Sequence, residues 1–324
     1  MTADSLQSFN SSFTDIDLFT DALAGWDVRF LPLERGGGDF QISMLRTPAV
    51  MIQQVALGSR AYQGGAPAEG FVTFGLITDT CGGIKWNRFN LNQTSITVFP
   101  AGQEFRCVAP AGFQPTSITI EKVKLSQIAE HYQLAIDIET LGSTEIALPI
   151  SREETQYFQR LLRSVGIRGT LNSNERLSVL EHDLPLCLLQ LYSVAQDRSQ
   201  QPIGVKASDL ALSRALQFFK MNAAKPIGIT DVCRAAFIDK RMLQRAFRDY
   251  FDVTPLEYLR LDRLQRARRM LMLSQSNISV SEIAFDCGFT HLGRFSGYYL
   301  KQYGELPNET ASLAANQKTE GYLG

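Results

Sequence analysis

This sequence of 324 residues has few of the residues that metal centres and disulfides require. Its five cysteines never lie closer together than 26 residues, so it contains no C-x-x-C pair, and the odd count does not suggest a disulfide framework. The three histidines, His131, His182 and His291, are widely separated, whereas a multi-histidine metal site needs them to converge. We therefore expect no metal, no cofactor and no catalytic residues of a metalloenzyme.

Long apolar runs are also missing. No stretch approaches the 18 or so consecutive apolar residues of a transmembrane helix. The first seven residues, Met-Thr-Ala-Asp-Ser-Leu-Gln, lack the basic start and the apolar segment of a secretory signal. Apolar residues make up 44% and charged residues 20% of the chain, which excludes disorder for the bulk of it. These features predict a cytoplasmic protein with no membrane association and, at roughly 100 to 200 residues per domain, two domains.

Charge is unevenly distributed along the chain, although the formal net charge is only −1. Residues 206–324 hold 17 Lys and Arg against 12 Asp and Glu, a net charge of +5, whereas residues 1–205 hold 15 against 21, a net charge of −6. A basic C-terminal third attached to an acidic body favours a polyanionic partner for one domain. Ordinary solvated charge is the alternative explanation of the same count.

The first 150 residues are rich in short β-type runs separated by Gly and Pro turns. The predicted strands cover residues 26–33, 40–46, 49–57, 71–77, 95–99, 104–108 and 116–120. Many short strands at fairly even spacing are typical of a β-barrel or of a double sheet. The fold class predicted for the whole chain is α+β, because the remainder has a helical pattern.

Apolar spacing becomes helical after residue 150 and predicts two helices, over residues 151–168 and 174–196. Apolar residues of the second helix form a heptad seam, which suits packing along another helix. The seam consists of Leu177, Leu180, Leu184, Cys187, Leu191 and Val194. Pro185 predicts a kink, because proline removes an internal hydrogen bond. Residues 151–198 are therefore predicted to form a helical dimerisation segment, with packing of the seam inside its own domain as the alternative.

Residues 199–206 are polar, contain Pro and Gly, and predict a linker. The region 207–313 that follows is wholly helical by pattern, and a frayed tail is expected over 314–324. Two modules within this region, at residues 229–247 and 278–295, each have the spacing of a helix, a tight turn and a second helix. A capping box at Thr254–Glu257 predicts a stiff helix to about Leu273 between the modules. This pattern predicts an all-α domain with two helix-turn-helix modules.

The second helix of the first module is strongly two-sided. At 100° per residue, Leu243, Ala246, Phe247 and Tyr250 share one side. The opposite side carries Arg241, Gln244, Arg245 and Arg248, preceded by Lys240. Arginine can hold guanine O6 and N7 with two hydrogen bonds, and glutamine can do the same for adenine N6 and N7. The face is therefore predicted to bind DNA, with a merely solvated basic face as the alternative.

The second module carries fewer charged groups. Phe295, Tyr299 and Leu292 are predicted to face inward. Gly293, Arg294, Gly297 and Lys301 are predicted to face outward. Two glycines on an exposed helix face cost about 1 kcal/mol each relative to alanine, so they either permit close approach of DNA or mark a module with little readout. His291, at the start of the helix, is a candidate for a phosphate or base contact.

Several motifs of this region together are similar to those of a known family. They are Leu243-Gln-Arg-Ala-Phe247, Thr254-Pro-x-x-Tyr258, Arg263-Leu-x-x-Ala267, Ser281-Glu-Ile-Ala284, Cys287-Gly-Phe289, Phe295 and Tyr303-Gly-x-x-Pro307. Residues 208–312 resemble the AraC/XylS family of transcription regulators, and the stretch 288–295 is similar to that of the ethanolamine-utilisation activators.

The resemblance implies that the second helix of each module enters a major groove of double-stranded DNA. By position, it assigns base reading to Arg241, Gln244 and Arg245, and then to Leu292, Gly293, Arg294 and Gly297. An arginine often stands at the position of Gly297 in the family, so this sequence departs from the pattern there. The N-terminal body resembles the cupin-like effector domains of many AraC-type regulators, which bind small molecules or serve dimerisation.

We interpret the sequence as that of a homodimeric, effector-responsive activator that acts on promoter DNA and on RNA polymerase. Trp86, Arg88, Glu104 and Arg106 are candidates for the mouth of the effector site, with surface or edge positions as the alternative. A cupin-type enzyme with an accessory DNA-binding region is the rival class, but no converging metal ligands are evident. A DNA-repair methyltransferase would need reactive cysteines with zinc partners. A purely architectural DNA-bending protein would not require a 200-residue acidic body.

Overall fold

The computed structural model describes residues 6–23, 26–35, 37–77, 83–91, 94–143, 145–166, 171–198, 207–273 and 278–320. The described residues fold as two compact units: the first contains those within 1–30, 38–59 and 63–203, and the second contains those within 31–37, 60–62 and 204–324. The predicted linker at 199–206 lies outside the described residues. Within the described part of the chain, no helix is long and apolar enough to cross a membrane.

The first unit is built from strands followed by helices. Its strands are β1 Gln7–Phe13, β2 Trp26–Pro32, β3 Phe40–Arg46, β4 Val50–Ala56, β5 Ala61–Pro67, β6 Phe71–Ile77, β7 Ile84–Trp86, β8 Phe89–Leu91, β9 Ser95–Phe99, β10 Phe105–Ala109, β11 Thr116–Glu121 and β12 Ile146–Pro149. Its helices are α1 Ile16–Asp21, α2 Lys122–His131, α3 Ile138–Ser143, α4 Arg152–Val165, α5 Ser173–Ser178 and α6 Leu184–Arg198, with a π-helical turn at Val179–Asp183.

The strands form two open sheets. One has seven strands in the order β1-β3-β4-β11-β6-β9-β12, and the other has five in the order β2-β5-β10-β7-β8. A barrel closes only when its first and last strands pair. Among the described strands, β1 and β12 are edges of the first sheet, and β2 and β8 are edges of the second. The double sheet is therefore the observed alternative, and the expectation of a closed barrel is corrected, whereas the cupin-like character of this unit stays a prediction.

The seven-stranded sheet is covered on both faces. Val72, Phe74 and Leu76 of β6 pack into a core shared with helices α2, α4 and α6. The alternate residues of β6, Gly75 and Ile77, line a cavity that also contacts residues of the five-stranded sheet. Because side chains alternate across a strand, burial on both faces leaves no solvated face in the centre of this sheet. The layers are therefore helices, seven-stranded sheet, cavity and five-stranded sheet.

The heptad seam packs inside the first unit. Leu180 and Leu184 are fully buried in the core with the sheet, and Leu191 is nearly so. Val194 at the end of the seam is 43% exposed. Leu180, Leu184 and Leu191 of the seam therefore pack within their own unit, whereas Val194 is left on the surface; a role of this segment in dimerisation stays a prediction.

Pro185 disturbs the helix as expected, in a specific way. The turn before it widens to a π-helix, and the amide of Leu184 donates to the carbonyl of Val179, five residues back. Proline has no N–H for the Glu181 carbonyl, and its ring clashes with the carbonyl four residues back in an α-helix. A π turn relieves that clash without ending the helix.

Some sequence-based boundaries were wrong in the first unit. Residues 64–67 were predicted to form a turn because they contain two glycines and a proline. They are instead the end of strand β5. Strands β1, β7, β8 and β12 and helices α1 to α3 were not predicted. Six of these seven elements span at most seven residues, too few for periodicity to stand out.

The second unit is helical throughout its described residues from 207 onwards. Its helices are α7 Ala207–Met221, α8 Ile229–Ala236, α9 Lys240–Phe251, α10 Pro255–Leu273, α11 Val280–Asp286, α12 Leu292–Tyr303 and α13 Pro307–Glu320. Helix α13 runs seven residues beyond the predicted end of the domain at residue 313, so most of the expected frayed tail is helical backbone. The two predicted helix-turn-helix modules correspond to α8–α9 and α11–α12.

Burial of the seam leads to a stability prediction for α6. We expect Leu184→Ala to lower the free energy of unfolding of the first unit by about 2–5 kcal/mol, because it leaves a cavity in a fully buried core. The matched control Val194→Ala, on the exposed side of the same helix, should change it by no more than about 0.5 kcal/mol. Urea unfolding followed by tryptophan fluorescence measures this, since Trp26 and Trp86 both belong to the first unit. Equal effects of the two substitutions would contradict the burial of the seam.

Candidate DNA-binding surface

The turn of the first module is unusually tight. Helix α8 ends at Phe237, whose φ of 57° lies in the left-handed region that favours glycine. Two residues later, the Asp239 carboxylate accepts a hydrogen bond from the Met242 amide at 2.8 Å and caps α9. The sharp turn and the cap together fix the direction in which α9 leaves α8.

Aromatic packing fixes the rotation of α9 about its axis. Leu243 and Phe247 are fully buried, and Tyr250 is nearly so. The ring centroid of Phe247 lies 5.8 Å from that of Phe219 on α7 and 5.6 Å from that of Tyr258 on α10. Edge-to-face rings at these distances contribute stability beyond their buried area. The predicted inward side of α9 is therefore the observed one.

The opposite side of α9 carries a cluster of basic and amide groups that we call the α9 face. It consists of Lys240, Arg241, Gln244, Arg245 and Arg248, all exposed except for the half-buried Gln244. Nε of Arg245 lies 3.5 Å from Oδ2 of Asp249, with both side chains well exposed. An exposed ion pair of this kind is worth at most about 1 kcal/mol, so it can be exchanged for another partner.

The second module begins with a complete capping box. The Glu282 amide donates to Oγ of Ser279 at 3.2 Å, and the Ser279 amide donates to Oε2 of Glu282 at 2.8 Å. The hydrogen bonds from the Ser279 amide and hydroxyl lower the pKa of Glu282. Gly288 makes the turn with a φ of 81°, as its position in the sequence suggested.

The outward side of α12 is exposed but poor in long side chains. It consists of His291, Leu292, Gly293, Arg294 and Gly297. Leu292 is 37% exposed, so the prediction that it faces inward is corrected: it occupies the first turn of α12, and burial begins at Phe295. His291 occupies the N-cap position without making a side-chain capping bond.

No contact within the chain explains the two glycines of α12. A Cβ atom added to Gly293 or Gly297 would meet no atom within 4 Å. Alanine would therefore fit at both positions and would favour the helix by about 1 kcal/mol each. Their effect is to leave the backbone of α12 bare on its outward side.

Helix α10 connects the two modules. Its start is fixed by Thr254 and Glu257, because the Glu257 amide donates to Oγ1 of Thr254 at 3.3 Å and the Thr254 amide donates to Oε2 of Glu257 at 2.8 Å. The hydrogen bonds that the Thr254 amide and hydroxyl donate to the Glu257 carboxylate lower the pKa of Glu257. The helix has 19 residues and is therefore about 28 Å long. That length is comparable to the roughly 34 Å between successive major grooves on one side of DNA.

The four candidate effector residues lie in different surroundings. Trp86 is only 2% exposed and lines the cavity between the sheets. Arg88 lies 3.9 Å from Oε1 of Glu145, whose pKa is raised by burial in spite of this guanidinium. Glu104 is exposed and Arg106 is half-buried. Neither they nor Arg88 are among the described residues that line the cavity.

The cavity involves residues that sequence reasoning did not select. Its volume is about 70 Å³, and its walls include Gln53, Phe99 and Phe105 as well as Trp86. The ring of Phe99 lies 5.2 Å from that of Trp86 and 5.0 Å from that of Phe105. A signal was available in β4, because Gln53 is a polar residue in a run of apolar ones. Among the described residues, no group of three or more His, Cys, Asp or Glu could hold a metal ion.

Comparison with known proteins agrees with this geometry. A family model for a helix-turn-helix domain matches residues 232–312. The chain is 37% identical over 101 residues to "XylDLEGF operon transcriptional activator 2" of Pseudomonas putida, covering 31% of this chain and 64% of that protein. It is 33% identical over 204 residues to "Probable thc operon regulatory protein" of Rhodococcus erythropolis, covering 60% of this chain and 61% of that protein.

Among solved structures, an AraC-type transcriptional regulator from Chromobacterium violaceum is 28% identical, with a TM-score of 0.30, over 32% of this chain and 92% of that one. The chain spans less than two thirds of the length of the two curated relatives described above. The matched region nevertheless spans most of α8 and all of α9, α10, α11 and α12. The chain therefore contains a C-terminal helix-turn-helix domain that is similar to those of AraC/XylS-type transcription regulators.

Proposed function

We propose that this protein is a sequence-specific DNA-binding transcription regulator that activates transcription in response to a small-molecule effector. The observation that carries the proposal is the α9 face, which presents three exposed arginines, a lysine and a glutamine from a helix whose other side is buried. Arginine and glutamine are the side chains that read guanine and adenine in the major groove. The relatives named as activators support the sign of regulation, and RNA polymerase is then the protein partner.

The two modules bind successive major grooves on one side of the duplex in this proposal. Helix α9 supplies most of the base contacts, because it carries the longer hydrogen-bonding side chains. Helix α12 approaches the DNA closely along Gly293 and Gly297, with Arg294 and His291 contacting phosphates. Contacts to phosphates add affinity but no sequence information.

A homodimer is also part of the proposal. The seam residues Leu180 and Leu184 are buried, so a second chain would contact the exposed side of α4 and α6, where Tyr157 and Val194 project. A groove of about 400 Å³ lies between these two residues. We expect sedimentation velocity of the full chain to give a mass of about twice 36.1 kDa. A monomeric mass at the concentrations that bind DNA would remove the dimer from the proposal.

The proposed division of labour predicts different effects for two arginines. A site selected from random duplexes by the full chain provides the DNA, and fluorescence anisotropy provides the affinity. Arg245→Ala should cost about 1–3 kcal/mol on that site and should flatten discrimination at one base pair, because a bidentate base contact is lost. Arg294→Ala should weaken binding to all sequences and should reduce the slope of log affinity against log salt by about 0.9, as expected for one phosphate contact.

The matched control is Arg160→Ala, which removes an exposed arginine from α4 of the first unit and should leave DNA affinity unchanged. A scan of single-base substitutions across the selected site completes the measurement. Substitutions under α9 should reduce affinity more than those under α12. If the base pairs contacted by α12 showed equal or greater sequence discrimination, this assignment would be refuted. Base recognition would then be assigned to the exposed backbone of α12.

A further inference from the structure

The cavity of the first unit is walled by uncharged groups. Its described lining residues come from both sheets and include none of Asp, Glu, Lys, Arg or His. Most are aliphatic or aromatic, and Trp86, Phe99 and Phe105 form a continuous run of rings. An ion in such surroundings would lose its hydration without gaining a counter-charge. The walls therefore select against charged compounds.

The cavity also has room for a compound. Its volume of about 70 Å³ is several times the 10–15 Å³ that one water molecule requires, so it can admit a compound larger than water. Gly75 helps to pack its wall, because a Cβ atom there would lie 2.3 Å from Oγ1 of Thr97 and 2.9 Å from the ring of Phe99. The strands β6 and β9 can pair closely at this point only if residue 75 is a glycine.

Two hydroxyl groups of the wall already donate to backbone carbonyls. Oγ1 of Thr97 donates to the carbonyl of Gly75 at 3.2 Å, and Oγ of Ser117 donates to the carbonyl of Gln53 at 3.3 Å. They are therefore engaged within the sheet. A compound in the cavity must find other hydrogen-bonding groups.

Two donors of the wall are buried without a hydrogen-bond partner. They are Nε2 of Gln53, a residue that is 4% exposed, and Nε1 of Trp86, a residue that is 2% exposed. Buried polar groups are nearly always paired, and an unpaired donor carries its full desolvation cost. Both groups line the same cavity, and both can donate. The complementary group on a ligand is a hydrogen-bond acceptor.

We propose that this cavity binds a small, uncharged, mainly apolar compound that carries a hydrogen-bond acceptor for Gln53 and Trp86. The proposal rests on the proposed function in one respect, since this compound would be the effector of the regulator. Its chemical class follows from the walls alone: the rings contact the apolar body, and the amide and indole N–H groups receive the acceptor. Carboxylates and amines are excluded by the absence of charge among the described lining residues.

The test compares three compounds of similar shape by titration calorimetry on the full chain. Acetophenone is neutral with an acceptor, ethylbenzene is neutral without one, and benzoate has acceptors with a charge. We expect acetophenone to bind at least tenfold more tightly than either of the others. Gln53→Met and Trp86→Phe should each weaken acetophenone about tenfold and leave ethylbenzene unchanged, because each removes one donor and preserves an apolar wall.

Two further proteins make this test specific. Gln54→Met is the matched control, because Gln54 is the next residue of β4, is exposed and does not line the cavity. Trp26→Phe leaves Trp86 as the sole tryptophan of the chain, so its emission should shift on addition of acetophenone. Tighter binding of benzoate, equal binding of all three compounds, or no binding of any would overturn the proposal. DNA affinity is measured separately, without added compound. Failure of the cavity proposal can therefore be distinguished from failure of the DNA-binding function.

A second, independent observation concerns Arg263 on α10. Its Nε donates to the carbonyl of Ala223 at 3.1 Å, one Nη donates to the carbonyl of Gly288 at 3.1 Å, and the other donates to the carbonyl of Lys225. Ala223 and Lys225 lie between α7 and the first module, whereas Gly288 forms the turn of the second. A Cβ atom at Gly288 would lie 2.9 Å from Cζ of Arg263, so glycine also makes room for the guanidinium.

We infer that Arg263 is a positioning residue that holds the two modules at one separation and angle. A guanidinium is a rigid, planar fork of donors, and here three of them hold carbonyls of the segment that precedes the first module and of the turn of the second. An equivalent lysine has a single point charge and cannot hold the three carbonyls in one plane. The inference rests on the proposed function, because the separation matters only if both modules bind the same DNA.

The dependence of affinity on half-site spacing tests this inference. On the selected site, insertion of two base pairs between the half-sites should weaken the wild-type chain at least tenfold. Arg263→Met should reduce that penalty to about threefold or less, with Arg263→Lys in between. The role of Arg263 would be overturned if Arg263→Met were folded by circular dichroism and still lost as much affinity on the longer site as the wild-type chain does. Equal weakening of its binding to both the original and the longer site would mark a purely structural effect and would also overturn the role. Failure of the wild-type chain to select any site would instead refute the DNA-binding function.

Discussion

The α9 face depends on the aromatic packing beneath it. Phe219, Phe247, Phe251 and Tyr258 bring α7, α9 and α10 together, and the centroids of Phe251 and Tyr258 are only 4.6 Å apart. A helix carrying this many cations has no intrinsic reason to keep one orientation. Because the aromatic side is buried, every arginine of the opposite side is directed outward. The outward orientation of the basic groups is therefore a consequence of apolar burial. Their charges act only after the packing has placed them on the surface.

The first unit follows from a different constraint, which is a sheet that is buried on both faces. One face of the seven-stranded sheet is covered by α2, α4 and α6, and the heptad seam of α6 is used for that purpose. The other face needs a second cover, which the five-stranded sheet supplies. Bulky aromatic rings between the two sheets leave a space that the side chains do not fill. The same constraint thus accounts for the buried seam and for the cavity.

Departures from the most stable arrangement occur at a few positions in both units. Gln53 and Trp86 keep buried donors without partners, Gly293 and Gly297 leave a helix bare, and Phe237 adopts a left-handed conformation. Each of these features has a cost in stability that an ordinary substitution would remove. In a folded protein such local conflicts are expected at functional sites. They mark the cavity and the two helix-turn-helix modules, which are the regions that the proposed function uses.

The sequence by itself determined the helical domain, its two modules and the two sides of α9, because a 3.6-residue period, capping boxes and a glycine turn are local signals. It also determined most central strands, from β-branched runs between turns. It could not decide whether the strands close into a barrel, since pairing depends on residues far apart in the chain. It left open the partner of the α6 seam, because one heptad pattern suits packing inside a unit or between chains. Only the tertiary structure placed Gln53 beside Trp86 in a cavity and Arg263 among three carbonyls, because these contacts join residues 25 to 40 positions apart.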